Sequence, residues 1–379
     1  MNAFVKTLIT LLGIAGMLAV FVFGGLYVFN TAEEGLLVTL GAVLVSMMIL
    51  LIYILERRNG KKTAIWIAIC MLVGIGFAAP YYYKESFAKV NDSEVDLFVY
   101  EPFQGNEKLA RLDSKASFAI EGELPILDGA TALYPLFAAF AEATYPEGVY
   151  EPYRGPVDTT TTPSAYSRLI KGNADIIFAA EPSSGQLQEA QEAGVELKLT
   201  PIGREAFVFF VNSRNKINDL STEEIRGIYS GEIESWKEVG GKNHEIRPFQ
   251  RPEDSGSQTM FIKFMGDAKI EKPETEDLTG GMGGVIEEVA SYRNYKNALG
   301  YTFRFYSTEM VKNDKIKLLS IDGIEPSREN IRSGDYPLAS EFYAVTAGSE
   351  NPNVEPFLEW ILSAEGQKLV EETGFVPLN

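Results

Sequence analysis

The chain has 379 residues, a net charge of −18, one histidine and one cysteine. That length allows two or three domains of ordinary size. The acidity argues against nucleic acid or an anionic lipid surface as a partner, and a lone cysteine excludes a disulfide framework and a cysteine-based metal site.

The first elements are three apolar runs, Leu8–Phe29, Gly35–Leu55 and Thr63–Tyr83. Each is about 20 residues, the length a helix needs to cross a hydrocarbon layer of roughly 30 Å. The loop between the first two runs, NTAEEG, is acidic, whereas ERRNGKK, between the second and third, is basic. The positive-inside rule then predicts a multi-pass cell-membrane protein whose chain beyond Tyr83 lies outside the cytoplasm. On this reading residues 1–84 form a membrane domain in contact with lipid, and 85–121 form a juxtamembrane connector. The only cysteine, Cys70, falls inside the third run.

Beyond the connector, two patterns alternate. ADIIFAA (Ala174–Ala180), EAFVFFVN (Glu205–Asn212), ALGYTFRFY (Ala298–Tyr306) and SEFYAVTA (Ser340–Ala347) are short, apolar and rich in β-branched or aromatic residues, as buried strands are. Apolar residues recur at helical spacing in Leu133–Tyr145, Ser164–Asn173, Ser221–Gly231 and Val354–Gly374. Ser221 and Glu224 have capping-box spacing, and Gly374 fits a helix stop. Such alternation predicts α/β layers with mainly parallel sheets, in two lobes.

The sequence argues against an enzyme. Its one histidine, His244, sits in the polar loop GGKNHEIRP, and no G-x-S-x-G elbow, H-E-x-x-H pair or phosphate loop occurs. The glycine cluster Gly280–Gly284 reads as a flexible loop or tight turn before a helix Val285–Ala290. No metal site or cofactor is expected.

Three other segments are rich in hydroxyls and glycine, each just ahead of an expected helix: DGATALYP (Asp128–Pro135), DTTTTPSAYS (Asp158–Ser167) and RPEDSGSQT (Arg251–Thr259). One hydroxyl at a helix start is an ordinary N-cap. Three such starts, one beside an arginine, offer free N–H groups, hydroxyls and a guanidinium, which together suit an oxyanion.

The residues Gly122–Asn379 resemble the phosphate-binding component of ABC phosphate importers, within the type II periplasmic binding protein fold. The likeness is carried by GATALYPLFAAF, by GREAFVFFVN, by the run from STEEIRGIYSG through IRPFQRPEDSGSQTMF, and by the ending LSAEGQKLVEETGFVPLN. The resemblance implies lobes at 122–203 plus 337–379 and at 204–336, closing like a hinge on the ligand. It implies that Thr131 and Ala132 give a hydroxyl and an N–H, that Thr162 or Ser164 gives a second hydroxyl, and that Arg251, Ser255, Gly256 and Ser257 form the third loop. Glu253 falls where the family has an acid that pairs with that arginine. Glu181 stands where the family has an aspartate that accepts a proton from phosphate; a carboxylate there would repel fully ionised sulfate. The sequence departs from the family in carrying glutamate for that aspartate and threonines for a serine-glycine cluster. The function implied is capture of phosphate or a similar oxyanion for an ABC transporter permease; the alternative is a sensor or assembly protein reusing the fold without transport.

Overall fold

The structure, a computed structural model, describes residues 95–273, 278, 282–290 and 296–378. They belong to one structural unit, Val90–Asn379. The strands are β1 (Leu127–Gly129), β2 (Ile176–Ala179), β3 (Lys198–Asn212), β4 (Asp219–Leu220), β5 (Arg247–Pro248), β6 (Ala298–Phe303), β7 (Ile316–Leu318), β8 (Ser320–Ile321) and β9 (Ala339–Thr346). The helices are α1 (Tyr134–Thr144), α2 (Thr162–Ile170), α3 (Ser184–Ala193), α4 (Thr222–Ser230), α5 (Gly256–Met265), α6 (Met282–Ala290), α7 (Arg328–Ser333), α8 (Val354–Leu362) and α9 (Ala364–Thr373).

The architecture is a two-lobed α/β fold organised by β3, which runs through both halves of a seven-stranded sheet ordered β1-β2-β9-β3-β6-β5, with β7 also on β3. Residues Lys198–Ala206 of β3 pair with β9, and Phe207–Asn212 pair with β6 or β7. Every residue of Glu205–Asn212 is buried, as expected of a strand covered on both faces. Aromatic packing fills each side. Phe137 stacks on Phe178 at 5.0 Å in one half, and Phe261 stacks on Tyr301 at 4.7 Å in the other.

Several expectations are corrected. The sheet is mixed, not mainly parallel: β1–β2 and β5–β6 are parallel, whereas β2–β9, β9–β3, β3–β6 and β3–β7 are antiparallel. A strand that passes between lobes beside a returning one must run antiparallel to it. The helix expected over Val354–Gly374 is two helices. Ser363 adopts an extended backbone between them and accepts a hydrogen bond from the Gly366 N–H as N-cap of α9. A side chain at Gly366 would collide with the Ile361 carbonyl, so the turn needs glycine there. The segment read as a connector contributes Leu97, Tyr100, Leu109 and Ile120 to the same core as α1. Gly283 and Gly284, expected in a loop, lie within α6.

The multi-pass membrane location is also corrected. Among the described residues no helix is long and apolar enough to cross a membrane. The longest is α1, with 11 residues; at 1.5 Å per residue it spans about 16 Å. The three apolar runs expected to form transmembrane helices lie outside the described residues.

Candidate functional site

The three hydroxyl-rich segments become three helix starts. Thr131–Leu133 forms a 3-10 turn leading into α1, closed by the Leu133 N–H to the Ala130 carbonyl at 2.8 Å and by the Tyr134 N–H to the Thr131 carbonyl. The N–H groups of Thr131 and Ala132 precede these bonds and stay outside the turn's ladder. Thr162 opens α2, with Pro163 next, where a missing N–H costs nothing. Ser255 caps α5, accepting from the Gln258 N–H at 3.3 Å. That cap leaves the Gly256 and Ser257 N–H groups as the free ends of the helix.

Tertiary packing brings these starts to one cleft. Ala132, Thr162 and Gly256 all line it, with Ala180, Glu205 and Glu341 among the other wall residues. A Cβ placed on Gly256 would lie 3.3 Å from Thr162 Oγ1 and 3.7 Å from the Ala180 Cβ. Glycine therefore lets the α5 start approach the α2 start. Two non-glycine residues hold positive φ immediately ahead of these helices, Thr161 at 75° and Asp254 at 64°. Such backbone costs of order 1–3 kcal/mol and persists where surrounding contacts hold it.

Those contacts are visible. Asp128, fully buried at β1, accepts from the Thr160 N–H and Oγ1, both at 2.8 Å, and from Arg168 Nη1 at 2.7 Å. Arg168 also holds Asp158 at 2.7 Å. This network ties the loop ahead of Thr162 to the β1 end. Burial pushes the Asp128 carboxyl above its ordinary range, with the Thr160 and Gly129 donors and Arg168 opposing it. On the other side, Asp254 accepts from the Ser183 hydroxyl, and its carbonyl accepts from Gln186 Nε2 at 3.1 Å. The α3 and α5 starts are thereby latched to each other.

The remaining predicted residues divide. Arg251, Ser255 and Ser257 are buried in the third loop. Arg251 lies beside Tyr301 and Tyr306, and burial pulls its pKa below the usual guanidinium range; its backbone N–H is held by Gln258 Oε1 at 3.0 Å and by the Tyr301 hydroxyl at 3.1 Å. Of the two candidate hydroxyls in the second loop, Thr162 is buried at the cleft and Ser164 is exposed. Glu253 is exposed, so it does not share the buried setting of Arg251. Glu181 is half-exposed and engaged elsewhere. It pairs with Lys263 Nζ at 2.7 Å and accepts from the Tyr343 hydroxyl at 3.2 Å, at the junction of α5 with the strand ends rather than in the cleft wall.

Sequence reasoning missed the cleft carboxyl, Glu205. It is fully buried and accepts from the N–H groups of Ala206 at 2.8 Å and Phe305 at 3.2 Å. Burial pushes its pKa up to about 7, with those donors and Arg304 opposing. An acid heading the apolar run AFVFFV was the available signal, because glutamate is almost never fully buried without partners.

Two α/β halves sharing crossing strands, with helix starts converging on the cleft between them, define a two-lobed binding-protein architecture. A family model described as the PBP superfamily domain matches residues 126–365, and the chain belongs to that superfamily. Among its relatives, the phosphate-binding protein PstS of Bacillus subtilis is 29% identical over 280 residues, covering 73% of this chain and 86% of that protein. The phosphate-binding protein PstS of Borreliella burgdorferi is 29% identical over 216 residues, covering 55% and 75%. The fold is likewise that of a phosphate ABC transporter substrate-binding protein from Clostridium perfringens solved with bound phosphate. It matches with a TM-score of 0.51 and 24% identity, covering 67% of this chain and 98% of that one.

Proposed function

We propose that this protein captures inorganic phosphate in the cleft and serves its import by an ABC transporter. One observation carries the reading: the helix starts at Thr131, Thr162 and Gly256 meet around one cleft. Each presents N–H groups outside its own ladder and the positive end of a peptide dipole, which favour an anion. In this reading Thr131, Ala132, Gly256 and Ser257 contribute N–H groups, Thr162 contributes a hydroxyl, and Ser255 fixes the α5 start. Arg251, buried four residues ahead of Ser255, adds positive charge to the same loop. The relatives named above, binding proteins and not enzymes, support phosphate as the anion.

Glu205 takes the part expected of Glu181. Near neutral pH its carboxyl is partly protonated, so it can donate to a phosphate oxygen or accept from a phosphate hydroxyl. Fully ionised sulfate has no proton to give and meets the ionised form as a like charge. The latch from Asp254 to Ser183 and Gln186 is the contact that hinge closure over the ligand would make.

Calorimetry on the full-length protein tests this directly. Phosphate should give a single saturable site and sulfate little heat. Binding of sulfate in preference to phosphate, or of neither, would overturn the reading.

A further inference from the structure

A second pocket lies in the half of the molecule that holds α4. Its wall carries Arg214, Lys216, Trp236, Lys242, His244 and Lys296, with no carboxylate among the described residues that line it. Four basic side chains thus share one wall on a chain of net charge −18. Neither Lys216 nor Lys242 is in an ion pair among the described residues. Trp236 adds an independent observation. It is 1% exposed, and its indole Nε1–H meets no acceptor among the described residues. A buried donor left without a partner is costly, and the groups around it in this wall are mostly donors.

The pocket is built on anchored loops. Asn212 is buried, donating from Nδ2 to the carbonyls of Val289 and Ala290 at 3.1 and 3.2 Å. Its side-chain oxygen accepts from the Arg214 N–H at 3.0 Å, and its carbonyl accepts from the Asn215 N–H at 2.8 Å. Opposite, the Trp236 N–H donates to the His244 carbonyl at 3.0 Å, and the Gly241 N–H donates back to Trp236 at 2.6 Å. Gly241 has no room for a side chain, since a Cβ would lie 2.8 Å from the Trp236 carbonyl oxygen. The pocket is separate from the cleft. Along β3 the seven steps from Glu205 to Asn212 cover about 23 Å at strand spacing.

We propose that this pocket is a second anion site, taking a multiply charged oxyanion of the phosphate type such as a short polyphosphate. Lysine and arginine groups can only donate, the tryptophan N–H can only donate, and an oligophosphate offers several acceptor oxygens at once.

The test is calorimetric titration of tripolyphosphate into full-length protein whose cleft is saturated with inorganic phosphate. One further binding event is expected, weakening steeply as salt rises. The double variant Lys216→Ala/Lys242→Ala should weaken it at least tenfold, and Trp236→Phe several-fold, whereas Ser164→Ala should leave it unchanged. No binding event beyond the cleft, or one that the lysine variant leaves intact, would overturn the proposal. The lysines are replaced on loops, and an unshifted thermal midpoint for that variant separates lost binding from lost fold.

Discussion

Replacing Glu205 by glutamine separates the cleft carboxyl's charge from its shape. In the folded chain burial raises this carboxyl to about 7 from an ordinary value of 4.5. The folded state therefore binds the proton more tightly than the unfolded state. The associated stability is fully present below about pH 4.5 and is lost as pH rises through 7. A displacement of that size, at 1.36 kcal/mol per unit, amounts to about 3 kcal/mol. Glutamine cannot ionise, so the variant lacks this loss. It also has a fixed cost. Both carboxylate oxygens accept backbone N–H groups, from Ala206 and Phe305, and the amide offers one acceptor in place of two. A buried donor left unmatched costs about 1–3 kcal/mol at every pH. The informative quantity is therefore the slope of the difference and not its offset. Denaturant unfolding followed by tryptophan fluorescence, at half-unit steps from pH 4.5 to 8, measures it. Relative to Glu205→Gln, wild type should lose about 3 kcal/mol across that window. Parallel stability curves for the two proteins would refute the reasoning, because they would mean that the carboxyl titrates alike in both states.

Other outcomes follow from the same geometry. Thr162→Val keeps the volume and removes the cleft hydroxyl, and should weaken phosphate binding by about 1–2 kcal/mol in calorimetry, while Ser164→Ala should not change it. Gly256→Val places branches against Thr162, 3.3 Å from its hydroxyl at the Cβ alone, and should abolish phosphate binding with a smaller effect on the thermal midpoint. Arg168→Ala leaves Asp128 buried without its cation and should cost about 3 kcal/mol in denaturant unfolding. Lys263→Ala removes a partner from an ion pair whose side chains are 59% and 36% exposed, so a loss of less than about 1 kcal/mol is expected.

The cleft also indicates which parts of the molecule could be read locally. Thr162 and Ser164 were equal candidates in the linear string. Two steps along a helix turn the side chain by about 200°, so only one of them can face Gly256. Which one depends on how α2 is docked, and that is set by Asp128, Arg168 and β1, far away in the chain. Glu181 illustrates the same limit. Its position after the β2 strand was legible, but its partner Lys263 arrives from α5, 82 residues on.

The sequence by itself determined the elements whose causes lie within a few residues. These include the β2 and β9 strands, the Ser221–Glu224 capping box, the left-handed stop at Gly374, and the hydroxyl-rich starts of α2 and α5. Only the tertiary structure decided that β9 returns antiparallel to β3 and that Glu205 rather than Glu181 lines the cleft. The physical reason is range. A cap or an apolar period is satisfied by its own neighbours, whereas burial of a carboxyl or the choice of a facing hydroxyl is fixed by groups that reach it only when distant segments pack.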